Sequence, residues 1–456
     1  MRSATFIAII AIAMAVFTLS NCTVAPAQEQ PNIVMIISDD QAWTDYSFMG
    51  HESIQTPNLD QLARESVVFP RGYVPTALCR PSLMTMITGH YAHQHGITGN
   101  DPSPKYNAQN NELKNAQRAA LIANVDKYAT LPRQLAKAGY LCHQSGKWWE
   151  GSFKRGGFTH GMTRGFPEKG GRHGDDGLKI GRNGLTAVTD FIDMSIEEKK
   201  PFFVWYAPFL PHTPHNPPAR LLNKYSVDGR PVTIAKYYAM CDWFDETCGQ
   251  LIDHLDKTNV RDNTLIVYAC DNGWIQKPDA RGYAPRSKQT PYEGGIRTPI
   301  MFSWPTKMQP AMRKELCSTI DLAPTILAAA QLPQDANLPG LNLLPNLTSG
   351  SAIKRKTIFG ESFAHDIADI NNPEASLLFR WCITDKWKLL LTYDGEVNRY
   401  QSTHPRTEKR PQLFDLNADP TEQQNVAAEN PELVALMAEQ IGNWYPVKER
   451  KTITKF

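Results

Sequence analysis

Uninterrupted apolar runs alternate with amphipathic stretches along most of the chain. Runs without polar breaks are typical of strands that are buried on both faces of a parallel sheet. We predict such strands at residues 32–38, 140–145, 201–207 and 264–270. Apolar positions at helical spacing predict helices at residues 131–138 and 233–257, and Thr56-Pro57 has the residue types that open another. Strands separated by helices favour an α/β fold, in which a large, mostly parallel sheet is flanked by helices.

The pattern changes after residue 352. Residues 387–393 and 413–415 have the pattern of antiparallel strands. A closing helix is predicted from Pro431, with Asn430 as its N-cap, to about Trp444. We therefore divide the mature chain into a large domain at residues 28–352 and a smaller C-terminal α+β subdomain at residues 353–456.

The first 27 residues have the features of a secretory signal peptide. Arg2 precedes an apolar run at residues 6–19, and Ala25-Pro26-Ala27 matches an A-x-A cleavage site. The apolar run is short for a membrane span. We expect an exported protein, periplasmic or extracellular. Lipoprotein anchoring through Cys22 is the alternative, which the preceding Asn21 disfavours.

Composition and charge add further constraints. The 456 residues are 41% hydrophobic, which is enough to bury a large core, and the net charge of +2 provides no overall field for nucleic acid. We therefore expect no nucleic-acid partner. Of the eight cysteines, Cys241 and Cys248 share a predicted helix and lie about 10 Å apart, too far for a disulfide. Without a CxxC or a framework spacing, most cysteines are predicted to be core thiols.

Polar residues directly follow two of the predicted strands. Asp39-Asp40 comes after the first strand, and Asp271-Asn272-Gly273 comes after the strand that ends at Cys270. Ligands of open α/β sheets bind beyond the carboxyl ends of the strands. Three carboxylates and an amide oxygen at that edge are hard ligands that suit Ca²⁺ or Mg²⁺. Either motif alone would be ordinary for a turn or a helix cap, but the two together favour a metal site.

A lone cysteine stands just before a short predicted helix. Pro81 fits the first turn of this helix, which continues to Thr88 and ends at Gly89. The free N–H groups and the dipole at a helix N-terminus attract anions. Three interpretations of Cys79 stay open on these grounds: a buried structural thiol, half of a disulfide, or a thiol that is converted to another chemical group.

An ordered set of motifs resembles the sulfatase family. Cys79-x-Pro81-Ser82, running to Thr88-Gly89, resembles the motif whose cysteine is oxidised to formylglycine after translation. The other segments with family counterparts are Asp39-Asp40, Gly146-Lys147-Trp148, Pro211-His212, Asp271-Asn272-Gly273, Lys288 before Tyr292-Glu293-Gly294-Gly295, and Leu413-Phe414-Asp415-Leu416 with Asp419-Pro420 and Glu422. The resemblance extends from about Pro31 to about Val426 and implies the alkaline-phosphatase-like sulfatase fold.

This resemblance implies a mechanism and a set of site residues. A modifying enzyme would convert Cys79 to formylglycine, whose hydrate attacks the sulfur of a sulfate ester and later expels the sulfate. One Ca²⁺ or Mg²⁺ ion would be bound by Asp39, Asp40, Asp271, Asn272 and the side chain at position 79. Lys147 and Lys288 would neutralise the sulfate oxygens, and His212 would protonate the leaving oxygen.

Two positions depart from the family pattern. Leu83 stands where the family usually has arginine, and Trp149 stands where it usually has histidine. Arg80 lies three residues before Leu83, on nearly the same helix face. We predict that Arg80 reaches back to the oxygens at position 79 and takes over part of the missing arginine's role. The alternative is that Arg80 faces solvent.

The sequence therefore predicts a sulfatase, a sulfuric ester hydrolase that acts on a sulfated small molecule or glycan. A sulfated carbohydrate is favoured by the predicted export and by Trp148, Trp149 and Trp274 beside the site motifs. One alternative is a phosphodiesterase or phosphonate hydrolase on the same scaffold, although such two-metal enzymes usually show histidine where Asn272 stands. The other is a degenerate member that binds sulfated glycans without cleaving them, which Leu83 and Trp149 would explain.

Overall fold

The structure is a computed structural model that describes residues 30–105, 111–397, 399–401 and 406–448. The predicted signal peptide at residues 1–27, with Cys22, lies outside these ranges. Within them, no helix combines the length and the apolar character that crossing a bilayer requires. The cysteines from Cys79 to Cys382 are all buried and none forms a disulfide.

The large domain is built on a nine-stranded sheet. The strands of this domain are β1 (Asn32–Ser38), β2 (Val67–Tyr73), β3 (Asp101–Pro102), β4 (Leu141–Gly146), β5 (His160–Gly161), β6 (Phe202–Ala207), β7 (Thr264–Cys270), β8 (Arg297–Ser303), β9 (Ala311–Met312) and β10 (Cys317–Ser318). All except β3 join the sheet, in the order β10-β2-β8-β7-β1-β6-β4-β5 with β9 beside β2. Only β8 runs antiparallel to its neighbours, so the mostly parallel sheet is confirmed.

Helices cover both faces of this sheet. One face packs against the helices Cys79–Thr88, Leu131–Lys137 and Leu322–Ala329. The other packs against Pro57–Arg64, Thr186–Glu197 and Val232–Lys257. The other α-helices of the large domain are Ala92–His95, Asn111–Ile122, Phe153–Gly156, Ala219–Tyr225, Glu293–Ile296 and Leu344–Ser349.

Burial of both sheet faces explains the uninterrupted apolar runs. In β1, Ile33, Met35 and Ile37 point into one core, and Val34 and Ile36 point into the other. Successive side chains of a strand point to opposite faces, so a strand covered on both sides must be apolar at every position. The predicted bounds of β1 and β7 agree with the structure, and β4 and β6 begin one residue later than predicted.

The C-terminal subdomain is a second, antiparallel sheet. Its strands are β11 (Thr357–Phe363), β13 (Leu377–Thr384), β14 (Trp387–Thr392) and β15 (Gln412–Asp415), with the helix Pro431–Trp444 packed against them. A short strand, β12 (Asp366–Ile367), pairs with β3 and connects the subdomain to the large domain. The predicted strands and the closing helix are present, whereas β11 and β13 were not predicted from the sequence.

A buried ion network also joins the two parts of the chain. The Nζ atom of Lys388 is completely buried and lies 3.1 Å from Oε1 of Glu293 and 2.8 Å from Oε1 of Glu422. Oε2 of Glu422 accepts a hydrogen bond from the backbone N–H of Glu293. The hydroxyl of Tyr73 donates to Oε2 of Glu293 at 3.1 Å. The segment that carries Lys288 is therefore held from the subdomain side.

A second buried ion pair fixes the start of the Cys79 helix. Arg80 is 2% exposed and donates from Nε and Nη2 to the two carboxylate oxygens of Glu150, at 2.7 Å each. Its Nη1 donates to the carbonyl of Asn100 at 3.2 Å. Bidentate pairing is a strong and directional form of guanidinium–carboxylate contact. It holds Cys79 in place relative to Lys147, three residues before Glu150.

We expect the variant Arg80→Ala to lower the free energy of unfolding by about 3–5 kcal/mol, because it leaves the Glu150 carboxylate buried without its partner. Equilibrium unfolding in urea measures the change. The matched control is Arg410→Ala, which removes a solvent-exposed pair with Glu408 and should lower the free energy of unfolding far less. A loss for Arg80→Ala no larger than that of the control would contradict the prediction.

The network around Lys388 predicts a pH-dependent stability. Burial raises the pKa of Glu422 to about 7, because the charge of Lys388 offsets only part of the cost of ionisation. The folded chain therefore binds a proton that the unfolded chain has lost, so this contribution is fully present at acid pH and disappears as pH rises through about 7.

We expect the free energy of unfolding to fall more steeply between about pH 5 and pH 8 in the wild type than in Glu422→Gln, which stays neutral. Urea unfolding at several pH values measures the two slopes. Glu408→Gln, at a partly exposed position, is the control and should keep the wild-type slope. Equal slopes for the wild type and Glu422→Gln would refute the assignment.

Candidate active site

The polar residues that follow β1, β6 and β7 meet at one edge of the sheet. These strands are neighbours and run parallel, so their carboxyl ends coincide. The strand pairing continues past the last strand residues: the backbone N–H of Asp39 donates to the carbonyl of Leu210, and that of Asp271 donates to the carbonyl of Ser38. The structure therefore brings together the predicted metal ligands from distant parts of the chain.

Four of the predicted metal ligands form a compact oxygen cluster at this edge of the sheet: Asp39, Asp40, Asp271 and Asn272. The N–H of Asp40 donates to Oδ1 of Asp271 at 3.1 Å, and Nδ2 of Asn272 donates to Oδ1 of Asp40 at 2.7 Å. Three further oxygens are buried without a hydrogen-bond partner among the described residues: Oδ2 of Asp39, Oδ2 of Asp271 and Oδ1 of Asn272. Buried acceptors without partners are costly, and a hard cation would satisfy all three at once.

The charges in the cluster also fit a divalent cation. Burial raises the pKa of Asp39 and of Asp271, because each carboxylate lies in a dry site beside other carboxylates. Three ionised aspartates with Lys147 and Lys288 leave one net negative charge, which would repel an anionic substrate. A divalent cation reverses that sign. The residues present therefore fit a single Ca²⁺ or Mg²⁺ ion.

Cys79 lies at the centre of the charged groups. It is the first residue of its helix, two residues earlier than predicted. Its Sγ lies 3.4 Å from Nζ of Lys147, 3.2 Å from Nζ of Lys288 and 3.9 Å from Oδ1 of Asp40. Burial raises the pKa of the Cys79 thiol to about 12. An unmodified thiol here is protonated at neutral pH and is a poor nucleophile.

Two lysines near Cys79 pair with the carboxylates of the cluster. Nζ of Lys147 lies 2.7 Å from Oδ1 of Asp39, and Nζ of Lys288 lies 2.5 Å and 2.7 Å from the two oxygens of Asp40. Although burial opposes ionisation, the Lys288 ammonium lowers the pKa of Asp40 below its usual value, and Asp40 in turn raises the pKa of Lys288. Both lysines are thus charged and point at position 79.

A glycine is required where the first lysine leaves its strand. Gly146 has a φ of +85°, and a Cβ atom there would lie 1.7 Å from the carbonyl oxygen of Ala207. That carbonyl accepts a hydrogen bond from the N–H of Lys147 at 2.8 Å. The Gly-Lys pair in the sequence therefore has a steric reason, which is the close approach of β4 to β6.

Tryptophans lie beside both lysines. Nζ of Lys147 is 5.3 Å from the ring centre of Trp149, and Nζ of Lys288 is 5.7 Å from that of Trp274. These distances suit cation–π contacts. Trp148 packs into the core on the face covered by the Cys79 helix, and it lines a small cavity with Trp149 and Arg80.

His212 faces the cluster with one ring nitrogen. Its Nε2 lies 3.3 Å from Oδ2 of Asp40, and its Nδ1 lies 2.6 Å from the carbonyl of Thr213. Nδ1 carries the hydrogen in this contact, because a carbonyl oxygen can only accept. Burial lowers the pKa of His212 well below its ordinary value, so the ring is neutral. Nε2 is therefore the atom that can take up and release a proton at the site.

Two residues that support His212 were missed by sequence reasoning. The ring of Phe209 stacks on His212 with a centroid distance of 4.3 Å, and Arg182 donates to the carbonyl of His212 at 2.8 Å. Phe209 lies in the apolar run just before Pro211-His212, which is a usable signal. Arg182 comes from a loop 30 residues earlier, and nothing in the sequence pattern connects it to the site.

The predicted role of Arg80 is corrected by the structure. Its guanidinium donates to Glu150 and to the carbonyl of Asn100, so the expected reach to position 79 is not observed, and the solvent-facing alternative is wrong. Arg80 is a positioning residue for Cys79. Leu83 and Trp149, the two departures from the family pattern, line one small cavity together with this ion pair.

A second group of possible metal ligands, which the sequence did not indicate, lies on β3 and β12. Asp101, His365 and Asp366 approach one another closely. Arg172 and Arg118 pair with Asp101, and the Arg399 guanidinium pairs with Asp366. Because arginines already neutralise both carboxylates, this group is an ion-pair cluster between the two parts of the chain.

Solved structures show the same architecture. The crystal structure of Ps i-CgsB superposes with a TM-score of 0.70 at 23% identity, covering 94% of this chain and 95% of that one. A structure in complex with D-glucosamine-2-N,6-O-disulfate superposes with a TM-score of 0.66 at 20% identity, covering 91% of this chain and 97% of that one. The phosphonate monoester hydrolase of Agrobacterium radiobacter superposes with a TM-score of 0.64 at 19% identity, covering 91% of this chain and 95% of that one. At these identities the likeness shows the fold alone. The fold occurs both in a phosphonate monoester hydrolase and in a protein that binds a sulfated sugar.

Relatives by sequence cover nearly the whole chain. Human N-acetylgalactosamine-6-sulfatase is 28% identical over 447 residues, covering 87% of this chain and 81% of the relative. The N-acetylgalactosamine-6-O-sulfatase of Bacteroides thetaiotaomicron is 24% identical, covering 90% of this chain and 92% of the relative.

Two family models match the chain, and their matches overlap at residues 286–332. The model of the N-sulphoglucosamine sulphohydrolase C-terminal region matches residues 286–444. The Sulfatase model matches residues 31–332, which is more than half of the chain and includes every candidate ligand and catalytic residue described above. This chain therefore belongs to the sulfatase family, whose members are sulfuric ester hydrolases.

Proposed function

We propose that this sulfatase hydrolyses a sulfate ester on a sulfated carbohydrate of the glycosaminoglycan class, using a formylglycine made from Cys79 and one divalent cation. The observation that carries the proposal is the position of Cys79 Sγ within 3.4 Å of two lysine ammonium groups, in a cluster with three buried oxygens that have no hydrogen-bond partner among the described residues. The relatives named N-acetylgalactosamine-6-sulfatase and the fold neighbour bound to a disulfated glucosamine support the substrate class.

A cation would be held by Asp39, Asp40, Asp271, Asn272 and the side chain at position 79. Ca²⁺ and Mg²⁺ both suit these oxygen ligands. When bound, the ion supplies positive charge to the sulfate oxygens and lowers the pKa of a coordinated hydroxyl. The unpartnered oxygens of Asp39, Asp271 and Asn272 support this assignment.

Position 79 would provide the nucleophile. A hydrated formylglycine supplies a hydroxyl group that can attack sulfur, which the protonated Cys79 thiol cannot do well. Arg80 keeps the side chain at position 79 aligned through its pair with Glu150. The first turn of the helix adds the positive end of its dipole at this point.

Lys147, Lys288 and His212 would act on the substrate itself. The two ammonium groups both lie within 3.4 Å of Cys79 Sγ and can hold sulfate oxygens whose negative charge grows in the transition state. The proton that the attacking hydroxyl at position 79 loses would be taken up at Nε2 of His212 and passed to the leaving oxygen, while the Nδ1–H bonded to Thr213 keeps the ring oriented. The alcohol thus leaves in neutral form.

A modifying enzyme and a location complete the proposal. A cysteine-oxidising enzyme must act on Cys79 before the chain adopts this buried arrangement, since the thiol is 1% exposed after folding. We also propose export to the periplasm or the extracellular space, on the sequence of residues 1–27.

We expect Cys79 to be converted to formylglycine in a host that has the modifying enzyme, and Cys79→Ala to abolish sulfate release. Peptide mass spectrometry across residues 76–89 measures the conversion, and the same digest shows whether the mature chain begins after Ala27. Cys382→Ala, at a buried thiol in the C-terminal subdomain, is the matched control and should keep activity. An active preparation with only unmodified cysteine would rule out this mechanism.

We expect Asp271→Asn to lose bound metal and activity together, with a fall in kcat/KM of about 10²-fold or more, the scale of a lost charge-stabilising group. Elemental analysis of the purified protein and hydrolysis of 4-nitrophenyl sulfate measure the two quantities. Asp369→Asn, at an exposed carboxylate, is the control. Full activity after exhaustive chelation would contradict the metal assignment, and faster turnover of 4-nitrophenyl phosphate than of the sulfate would favour the phosphoesterase alternative.

A further inference from the structure

A large cavity opens beside the proposed catalytic group. Its volume is about 890 Å³. It is enclosed by the segment after β6, by the first turns of the helix Val232–Lys257, and by the segment after β7. The residues that line it include His215, Thr233, Lys236, Trp274, Gln276 and Arg281. A cavity of this size can hold one or two sugar rings.

The cavity adjoins the group that would protonate the leaving oxygen. His215 follows His212 by three residues, and the carboxylate of Asp40 acts electrostatically on both imidazoles. On the other side, the indole of Trp274 lines the cavity and lies 5.7 Å from Nζ of Lys288. The cavity is therefore placed to receive the part of the substrate that leaves as the alcohol.

The loop that forms one wall is fixed in the folded chain. Oγ1 of Thr233 donates to the carbonyl of Pro278 at 2.5 Å. Nε2 of Gln276 donates to the carbonyl of Ala280 at 3.0 Å, and Oε1 of Gln276 accepts from Nε1 of Trp274 at 3.2 Å. The wall is thus preorganised, and binding there requires little ordering of the backbone.

The cavity carries positive charge that no other described group neutralises. Lys236 is half-buried and Arg281 is exposed, and neither has an ion-pair or hydrogen-bond partner within the described ranges. The residues that line the cavity include no carboxylate in the part of the chain that the structure describes. Nε2 of His215 is buried without a partner there as well. Burial lowers the pKa of His215 to about 4, so its ring can bind a sugar hydroxyl in neutral form.

We propose that this cavity binds a sugar residue that carries a second anionic group, a carboxylate or a sulfate, held by Lys236 and Arg281. Trp274 supplies an apolar wall for the ring, and His215 binds a hydroxyl. This inference rests on the proposed function and refines it: the preferred substrates are oligosaccharides or sugars with two negative charges, one at the scissile sulfate and one in this cavity.

The test compares selectivity between substrates. We measure kcat/KM for 4-nitrophenyl sulfate, for N-acetylgalactosamine 6-sulfate, for N-acetylgalactosamine 4,6-disulfate, and for a disaccharide of uronate and N-acetylgalactosamine 6-sulfate. The variant is Lys236→Ala/Arg281→Ala. Its control is Lys277→Ala, on the same loop but outside the cavity lining, which should leave every ratio unchanged.

We expect the doubly charged substrates to be preferred by the wild type. The variant should reduce the ratio of their kcat/KM to that of 4-nitrophenyl sulfate by about 10-fold or more, the scale of lost hydrogen bonds to a charged group. Preference for the disulfate alone identifies a sulfate as the bound group, and preference for the uronate disaccharide alone identifies a carboxylate. An unchanged ratio in the variant overturns the proposal, even when 4-nitrophenyl sulfate is hydrolysed normally.

Binding separates this inference from the catalytic proposal. In Cys79→Ser protein, isothermal titration with the same disaccharide and with the 4,6-disulfate should give at least about 10-fold weaker binding when Lys236 and Arg281 are also replaced. If no sulfate ester is hydrolysed but this difference is observed, the proposed function fails and the anionic subsite stands. Equal binding by the two proteins overturns the subsite.

Discussion

The folded chain concentrates three carboxylates in a dry site at the end of a parallel sheet. Asp39, Asp40 and Asp271 are almost completely buried, and their mutual repulsion must be balanced for the site to persist. Lys147 and Lys288 provide part of that balance by direct contact. The unpartnered oxygens that remain explain why the residues fit a divalent cation. The nucleophile position, the lysines and the histidine are all arranged around this one electrostatic requirement.

Buried ion pairs transmit this arrangement to the rest of the fold. Arg80 and Glu150 fix the first turn of the Cys79 helix against the segment that carries Lys147. Lys388 and Glu422 hold the segment of Glu293, which follows Lys288, from the C-terminal subdomain. Pairs of this kind add little net stability compared with apolar packing, but removing one partner is costly. They therefore define geometry more than they contribute energy, which suits a site that depends on distances of about 3 Å.

The two departures from the family pattern are neighbours in space. Leu83 and Trp149 line one small cavity beside the Arg80–Glu150 pair. The two positions where the family usually has an arginine and a histidine therefore carry Leu83 and Trp149 in this chain, and Arg80 is buried next to them. The local change is compatible with the remaining cluster, since every other predicted ligand and catalytic side chain except Arg80 is within a few ångströms of Cys79 or of its carboxylate neighbours.

The sequence by itself determined the strands β1 and β7, the helix Val232–Lys257 and the order of the polar motifs, because two-sided burial and strand ends leave local patterns. Only the tertiary structure decided the partner of Arg80, the support of His212 by Arg182, and the cavity around Lys236 and Arg281. Each of these depends on segments that are far apart in the chain. The surroundings of a charged side chain are set by the segments that folding brings together, and no spacing along the sequence specifies them.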